Sequence, residues 1–144
     1  MHSHTRSAPR TRVVVGFDGS ESALRALSRA ADEIEPGGTL TLVTVKPTAR
    51  SAGALSEDLI GAFPDPAALL EEGRLSLAAR DDIVDEAVAR SGDPAAIVLA
   101  AARDAGADLI VIGRRGRDFA ARVLLGSVAE RVVAQARCDV LVVA

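Results

Sequence analysis

Tryptophan and tyrosine are absent from this chain, and phenylalanine occurs three times. A nucleic-acid surface built on stacked bases therefore lacks its aromatic platform. Basic residues are not in excess either: 17 Lys and Arg face 20 Asp and Glu, a formal charge of −3, which argues against a polyanion as the main partner. The single cysteine, Cys138, cannot close an intramolecular disulfide, and the longest apolar run, Ala95 to Ala102, is far short of the roughly twenty residues that span a bilayer. The only histidines, His2 and His4, stand in the N-terminal tail. Ser-His-Asp and Cys-His catalytic sets and a structural zinc site are thereby excluded. The sole lysine, Lys46, belongs to no glycine-rich G-x4-G-K-[ST] loop, and the G-x-G-x-x-G dinucleotide fingerprint is missing as well. Residues 1–11 carry charge without an apolar core segment, so they read as a disordered, solvated tail and give no sign of a signal peptide. Residues 12–144 are expected to form a single domain, and the cytoplasm is the expected compartment.

What is present is aliphatic: 49% of the 144 residues are hydrophobic, enough for one real core. Apolar runs rich in Val, Ile and Leu alternate with Ala-rich stretches of helical period. This rhythm predicts a parallel sheet covered by helices on both faces. Arg12 to Phe17 reads as a first strand, followed by a helix carrying Ala23, Leu24, Leu27, Ala30, Ala31 and Ile34 until Pro36-Gly37-Gly38 stops it. Thr39 to Lys46 suits a second strand. Residues 47–66 read as a long loop with a short helix around Leu55 to Ile60, and a second helix is expected over Ala67 to Arg80 despite Gly73. Period alone leaves Ile83 to Arg90 open between helix and strand. Asp93 as N-cap and Pro94 at the first helical position open the next helix, which Gly106 closes. Asp108 to Ile112, Val128 to Arg137 and Asp139 to Ala144 complete the chain as strand, helix and strand.

The chemistry concentrates between the last two strands. Gly113 and Gly116 follow a strand, Gly126-Ser127 opens a helix, and Arg114, Arg115, Arg117 and Arg122 make the segment basic within an acidic protein. Glycines let backbone N–H groups approach an anion, and a helix start offers unpaired N–H donors and the positive end of a dipole. Such a loop can cradle phosphates. Each piece also has a plain structural reading: Ser127-Val128-Ala129-Glu130 fits a capping box, Gly113 can simply end a strand, and the arginines can be a solvated face.

The combined pattern Gly113-x2-Gly116-x9-Gly126-Ser127 resembles the nucleotide-binding motif of the universal stress protein family. The resemblance runs over about residues 12 to 144, through Asp18-Gly19-Ser20, Gly92-Asp93-Pro94, the Gly106-to-Val111 turn into a strand, and the closing Val140-Leu141-Val142-Val143. It implies an open five-stranded parallel α/β sheet in the order 3-2-1-4-5, adenine nucleotide alpha hydrolase-like, in which Ile83 to Arg90 becomes the third strand. Strands one and four then form the switch-point crevice where open α/β sheets bind ligands. Carried over by position, Gly16, Phe17 and Asp18 would lie beside adenosine and Val45 beside adenine. Ile112, Gly113, Arg115, Gly116 and Arg117, with Gly126, Ser127 and Val128, would surround ribose and phosphates. Asp18 has an alternative role as a cap of the first helix. Departures are Arg114-Arg115, where the family often has Ser or Thr followed by His, and Asp139, where it often has Pro.

The resemblance implies an ATP-binding stress or signalling protein, with or without Mg2+, at most a slow ATPase, acting on an unknown protein partner. A dimeric interaction module that binds no nucleotide in the cell is the alternative. Neither nucleic acid nor membrane is an expected partner. Residues 47–66 are expected to fold over the adenine as a lid. An apolar final strand at a sheet edge predicts a homodimer through that strand.

Overall fold

Val13, Val14 and Val15 are each at most 1% exposed, and successive side chains of a strand point to opposite faces. Such a run is stable only where both faces of the sheet are covered. The computed structural model, which describes residues 9–48, 63–115 and 125–144, has that architecture. Strands β1 (Arg10–Gly16), β2 (Ile34–Pro47), β3 (Val84–Gly92), β4 (Leu109–Gly113) and β5 (Asp139–Val143) pair in parallel in the order β3-β2-β1-β4-β5. Val13 and Val15 pack with Leu40, Leu42 and Val111 beneath α1 (Glu21–Glu33) and α2 (Pro66–Ser76), and Val14 packs with Val43, Ile110 and Ile112 beneath α3 (Pro94–Ala105) and α4 (Ser127–Gln135). Each buried Val or Leu contributes about 1.5–3 kcal/mol of transfer free energy, and the alternation distributes it to both layers.

The helices end where their chemistry requires. Ser20 caps α1 by accepting from the Ala23 N–H at 3.2 Å, and α1 then buries Ala23, Ala26, Leu27, Ala30 and Ala31 at helical spacing. Pro94 opens α3, and Gly106, at φ +62°, closes it with Ala107 N–H donating to the Ala102 carbonyl at 2.9 Å. This is the left-handed closure that glycine permits most readily.

Several expected boundaries move. The strand begins at Arg10, inside the expected tail, because Arg10 pairs with Ile34 in the ladder and its guanidinium holds Asp139 at 2.7 Å. Pro36-Gly37-Gly38 lies inside β2. From Ile34 to Thr39 β2 advances five residues while β1 advances two, from Arg10 to Arg12; this bulge is relieved by Gly37 at φ +84°. α2 stops at Ser76, short of Arg80, where Leu77, Ala78 and Arg80 donate to carbonyls three residues back. The open segment 83–90 is strand β3, paired with β2 from Thr39 to Pro47. Its period was ambiguous because this is an edge strand with Asp85, Glu86, Ala87 and Arg90 all exposed, so no burial alternation marks it. The short helix expected around Leu55 to Ile60, and most of the expected lid, lie outside the described residues.

Candidate functional site

β1 and β4 are neighbours whose following helices, α1 and α4, cover opposite faces of the sheet. Their carboxyl ends therefore meet at the switch point where open α/β sheets bind ligands. On the β1 side, a Cβ at Gly16 would sit 3.2 Å from Ile112 Cγ2 and 3.4 Å from Val98 Cγ2, so glycine lets β1 lie close to β4 and α3. Phe17 does not offer its ring to this crevice: it is 2% exposed, within the core beneath α1 and α2. Its N–H donates to the Val43 carbonyl at 2.8 Å, and its carbonyl accepts from Thr44 Oγ1 at 2.9 Å. Thr44, fully buried, thus anchors the turn that carries Asp18. Asp18 Oδ1 accepts from the Ser20 N–H at 2.9 Å, and Gly19 supplies φ +77°. Asp18 therefore shapes the turn, and the cap of α1 is Ser20. Val45, at the end of β2, is 7% exposed and faces the α3 layer.

On the β4 side Ile112 is core, at 4% exposure. A Cβ at Gly113 would come within 2.5 Å of Ser22 Oγ and 3.0 Å of Ala23 N, so Gly113 is glycine because α1 packs against it. Ser22 then donates its hydroxyl to the Arg115 carbonyl at 2.6 Å, which fixes the start of the loop on the start of α1. Arg114 N–H donates to the Val143 carbonyl at 2.7 Å, and Gly126 N–H donates to the Arg114 carbonyl at 2.7 Å. The two ends of the glycine-rich segment meet through this last bond. Gly116 and Arg117 fall outside the described residues.

Gly126, with extended backbone, occupies the N-cap position of α4, and Ser127 is the first helical residue. The capping-box reading of Ser127 is corrected accordingly: the cap carbonyl that accepts from the Glu130 N–H, at 2.9 Å, is that of Gly126. Ser127 is exposed at the crevice, while Val128 is half-buried against the α3 layer. Asp93 holds the N-cap position of α3 but makes no capping bond with its side chain. Its carboxylate accepts from Arg131 at 2.6 Å instead, tying the start of α3 to α4. Arg114 Nε is buried and has no hydrogen-bond partner. Ser22, Thr44 and the Asp93–Arg131 tie had no signature in the sequence; each joins residues far apart in the chain, and no local spacing marks such a contact.

Cys138 lies at the opposite, amino edge of the sheet, half-buried beside β5. Burial and the carboxylates of Asp139 and Asp108 push its thiol pKa up, which disfavours the nucleophilic thiolate. Among the described residues no group of three His, Cys, Asp or Glu could hold a metal ion, and no helix is long and apolar enough to cross a membrane.

Comparison with known proteins agrees with this arrangement. Residues 9–144 match the universal stress protein family. The chain belongs to that family. A universal stress protein of Methanocaldococcus jannaschii is 34% identical over 142 residues, covering 92% of this chain and 81% of the relative. The universal stress protein UspA of Lactobacillus plantarum superposes with a TM-score of 0.76 at 23% identity, over 96% of this chain and all of the other. A universal stress protein solved in complex with cAMP superposes with a TM-score of 0.66 at 31% identity, over 95% and 99% of the two chains. The sheet order and helices are those of the nucleotide alpha hydrolase-like fold shared by these structures.

Proposed function

We propose that this universal stress protein binds an adenine nucleotide, ATP in the first instance, in the crevice between β1 and β4, and that occupancy alters its contacts with a protein partner in the cytoplasm. The observation that carries the reading is the bond from Gly126 N–H to the Arg114 carbonyl, 2.7 Å. It joins the first and last parts of the glycine pattern at the carboxyl end of β4, beside the Asp18 turn. The cAMP complex of a relative 31% identical to this chain supports an adenine ligand for the fold.

The residues present suit such a ligand. Asp18 can accept from ribose hydroxyls or the adenine amine, and the wall at Val45 and Ile112 is apolar. The first N–H groups of α4 and the Ser127 hydroxyl can donate to phosphate oxygens. Gly113 contributes indirectly, by seating the loop on α1. A Mg2+ ion would arrive on the phosphates; among the described residues no group of acidic side chains could hold it. Bound ATP supplies a polyanion whose presence can be sensed at the loop. Slow hydrolysis at most is in keeping with the absence of histidine among the described residues.

Pairing of β5 with its copy in a second chain completes the proposal. β5 is a sheet edge, and Val140, Leu141 and Val142 are only half-buried in one chain. Isologous pairing would satisfy both edges at once. Light scattering should give about twice the 14.8 kDa chain mass, and Val142→Lys should shift it toward monomer or aggregate; a monomeric wild type at micromolar concentration contradicts the dimer. For the ligand, acid-precipitated purified protein should release material absorbing at 260 nm that comigrates with an adenine nucleotide standard. Absence of such material, together with no thermal shift on adding ATP, would remove the reading.

A further inference from the structure

We infer that the cleft between the last turns of α3 and α4, at the amino edge of the sheet, is a ligand site that takes a short aliphatic monocarboxylate. It lies at the opposite edge from the proposed nucleotide site and does not depend on that reading. The cleft has a volume of about 120 Å³. Its floor is apolar: Leu99 and Ala102 of α3 and Ile110 of β4 are each at most 7% exposed. Cys138, half-buried where the chain enters β5, forms one wall, and the exposed Arg103 and Arg137 stand at the rim. A third guanidinium is close by, since a Cβ built on Gly106, which also lines the cleft, would sit 3.5 Å from Arg12 Nη1.

The charge of these three arginines is not met by the fold. Arg10, Arg25, Arg29, Arg74, Arg80 and Arg131 each pair with a carboxylate. Among the described residues Arg12, Arg103 and Arg137 make no ion pair, and no carboxylate lines the cleft. Two acids of the same edge are engaged: Asp139 accepts from Arg10 at 2.7 Å, and Asp108 Oδ2 accepts from the N–H groups of Thr11 and Arg12 at 3.0 and 3.2 Å. Helix C-termini favour cations, and Arg103, in the last turn of α3, already answers that preference. The cleft therefore presents an apolar floor and a positive rim, the usual form of a small-molecule site with a few convergent polar groups. Such a site selects an amphipathic anion, and guanidinium forks suit a carboxylate. A second carboxylate on the ligand would have to enter the apolar floor, which limits the class to monocarboxylates. An apolar cavity of about 150 Å³ holds a benzene ring, so this smaller, open cleft suits an aliphatic chain of about four carbons beneath the carboxylate.

The sole cysteine of the chain reports on the cleft, because a ligand seated there covers the Cys138 thiol. Burial raises the pKa of that thiol, so its alkylation is run near pH 9, with iodoacetamide, whose neutrality makes its approach indifferent to the charge of the rim. Read by intact mass at one ionic strength, alkylation should be slowed severalfold by pentanoate, with half-protection at about a millimolar or below, as suits a ligand of about seven non-hydrogen atoms. Acetate has the charge without the chain, and pentanamide has the chain without the charge. Each should need at least about ten times the concentration of pentanoate for the same protection. Amide NMR spectra should show pentanoate shifting Ala102, Gly106 and Cys138 while Asp18 and Ser127 stay in place. The double variant Arg103→Gln with Arg137→Gln, changed at two exposed positions, should melt close to wild type and should be protected by pentanoate no better than by pentanamide. Alkylation of wild type that is unaffected by pentanoate at tens of millimolar overturns the site, as do shifts confined to Asp18 and Ser127. Equal protection by pentanoate and either control, or full protection of the double variant, overturns the assignment of a carboxylate held at the arginine rim.

Discussion

The two edges of the sheet use their polar groups differently. At the amino edge, one oxygen of Asp108 accepts from Thr11 N–H at 3.0 Å, Thr11 Oγ1 at 3.1 Å and Arg12 N–H at 3.2 Å, while Arg10 donates to the Asp108 carbonyl at 2.9 Å and to Asp139 at 2.7 Å. Those contacts fasten β1, β4 and β5 to one another. At the carboxyl edge the contacts of Ser22, Thr44 and Gly126 hold backbone in place and leave side chains over: Ser127 is exposed and Arg114 Nε has no partner. Between the strands, one edge is spent on the fold, and the other leaves donors over for the proposed ligand.

The contrast can be broken deliberately. The largest expected effect is at Gly113, where a valine would drive Cβ into Ser22 Oγ and the Ala23 backbone. Gly113→Val should lower unfolding free energy by about 3 kcal/mol, the upper range for overpacking, in urea denaturation. A loss under about 1 kcal/mol would mean that α1 yields easily and that Gly113 is free for another purpose. Next comes Asp108→Ala, which removes the acceptor of three donors in a partly exposed setting. About 1–2 kcal/mol of stability should be lost, with ATP affinity unchanged; a comparable loss of affinity would mean that the two edges are coupled. The mirror case is Asp18→Ala, which should weaken nucleotide binding by about 1–3 kcal/mol with a smaller change in melting temperature. Were stability to fall and affinity to hold, Asp18 would be a turn residue alone. Arg131→Ala, which opens a half-exposed ion pair with Asp93, should cost at most about 1 kcal/mol of stability.

How far the sequence alone reaches follows the same divide. Strands β1, β2, β4 and β5 and helix α3 were legible because their signals are local: apolar runs, a proline at a helix start, a glycine at its end. β3 was not, since an exposed edge strand has no buried face to set a period, and only family resemblance assigned it. Pro36-Gly37-Gly38 signals a break in any local reading, yet here it makes a bulge within a continuing strand because Thr39 resumes the pairing with Arg12. The glycine pattern marks a segment whose ends the structure joins at Arg114 and Gly126, and its first member has a packing reason as well. Gly113 answers to Ser22, 91 positions earlier in the numbering, and nothing in a linear motif carries that contact. Phe17 meets a related limit: the resemblance gives its position beside adenosine, and the burial of its ring in the core leaves its backbone for that role.

The central claim is that the carboxyl edge holds an adenine nucleotide through the N-terminus of α4, and Gly126 is where it is most exposed to test. At φ −66° and ψ 157°, the Gly126 backbone is one that valine adopts without strain, so Gly126→Val should fold with a melting temperature close to that of wild type. Calorimetric titration of ATP into the two proteins side by side should give saturable one-site binding to wild type and at least about tenfold weaker binding to the variant, as a branched side chain keeps phosphate from the helix N–H groups. Equal affinity in the two folded proteins would contradict the account.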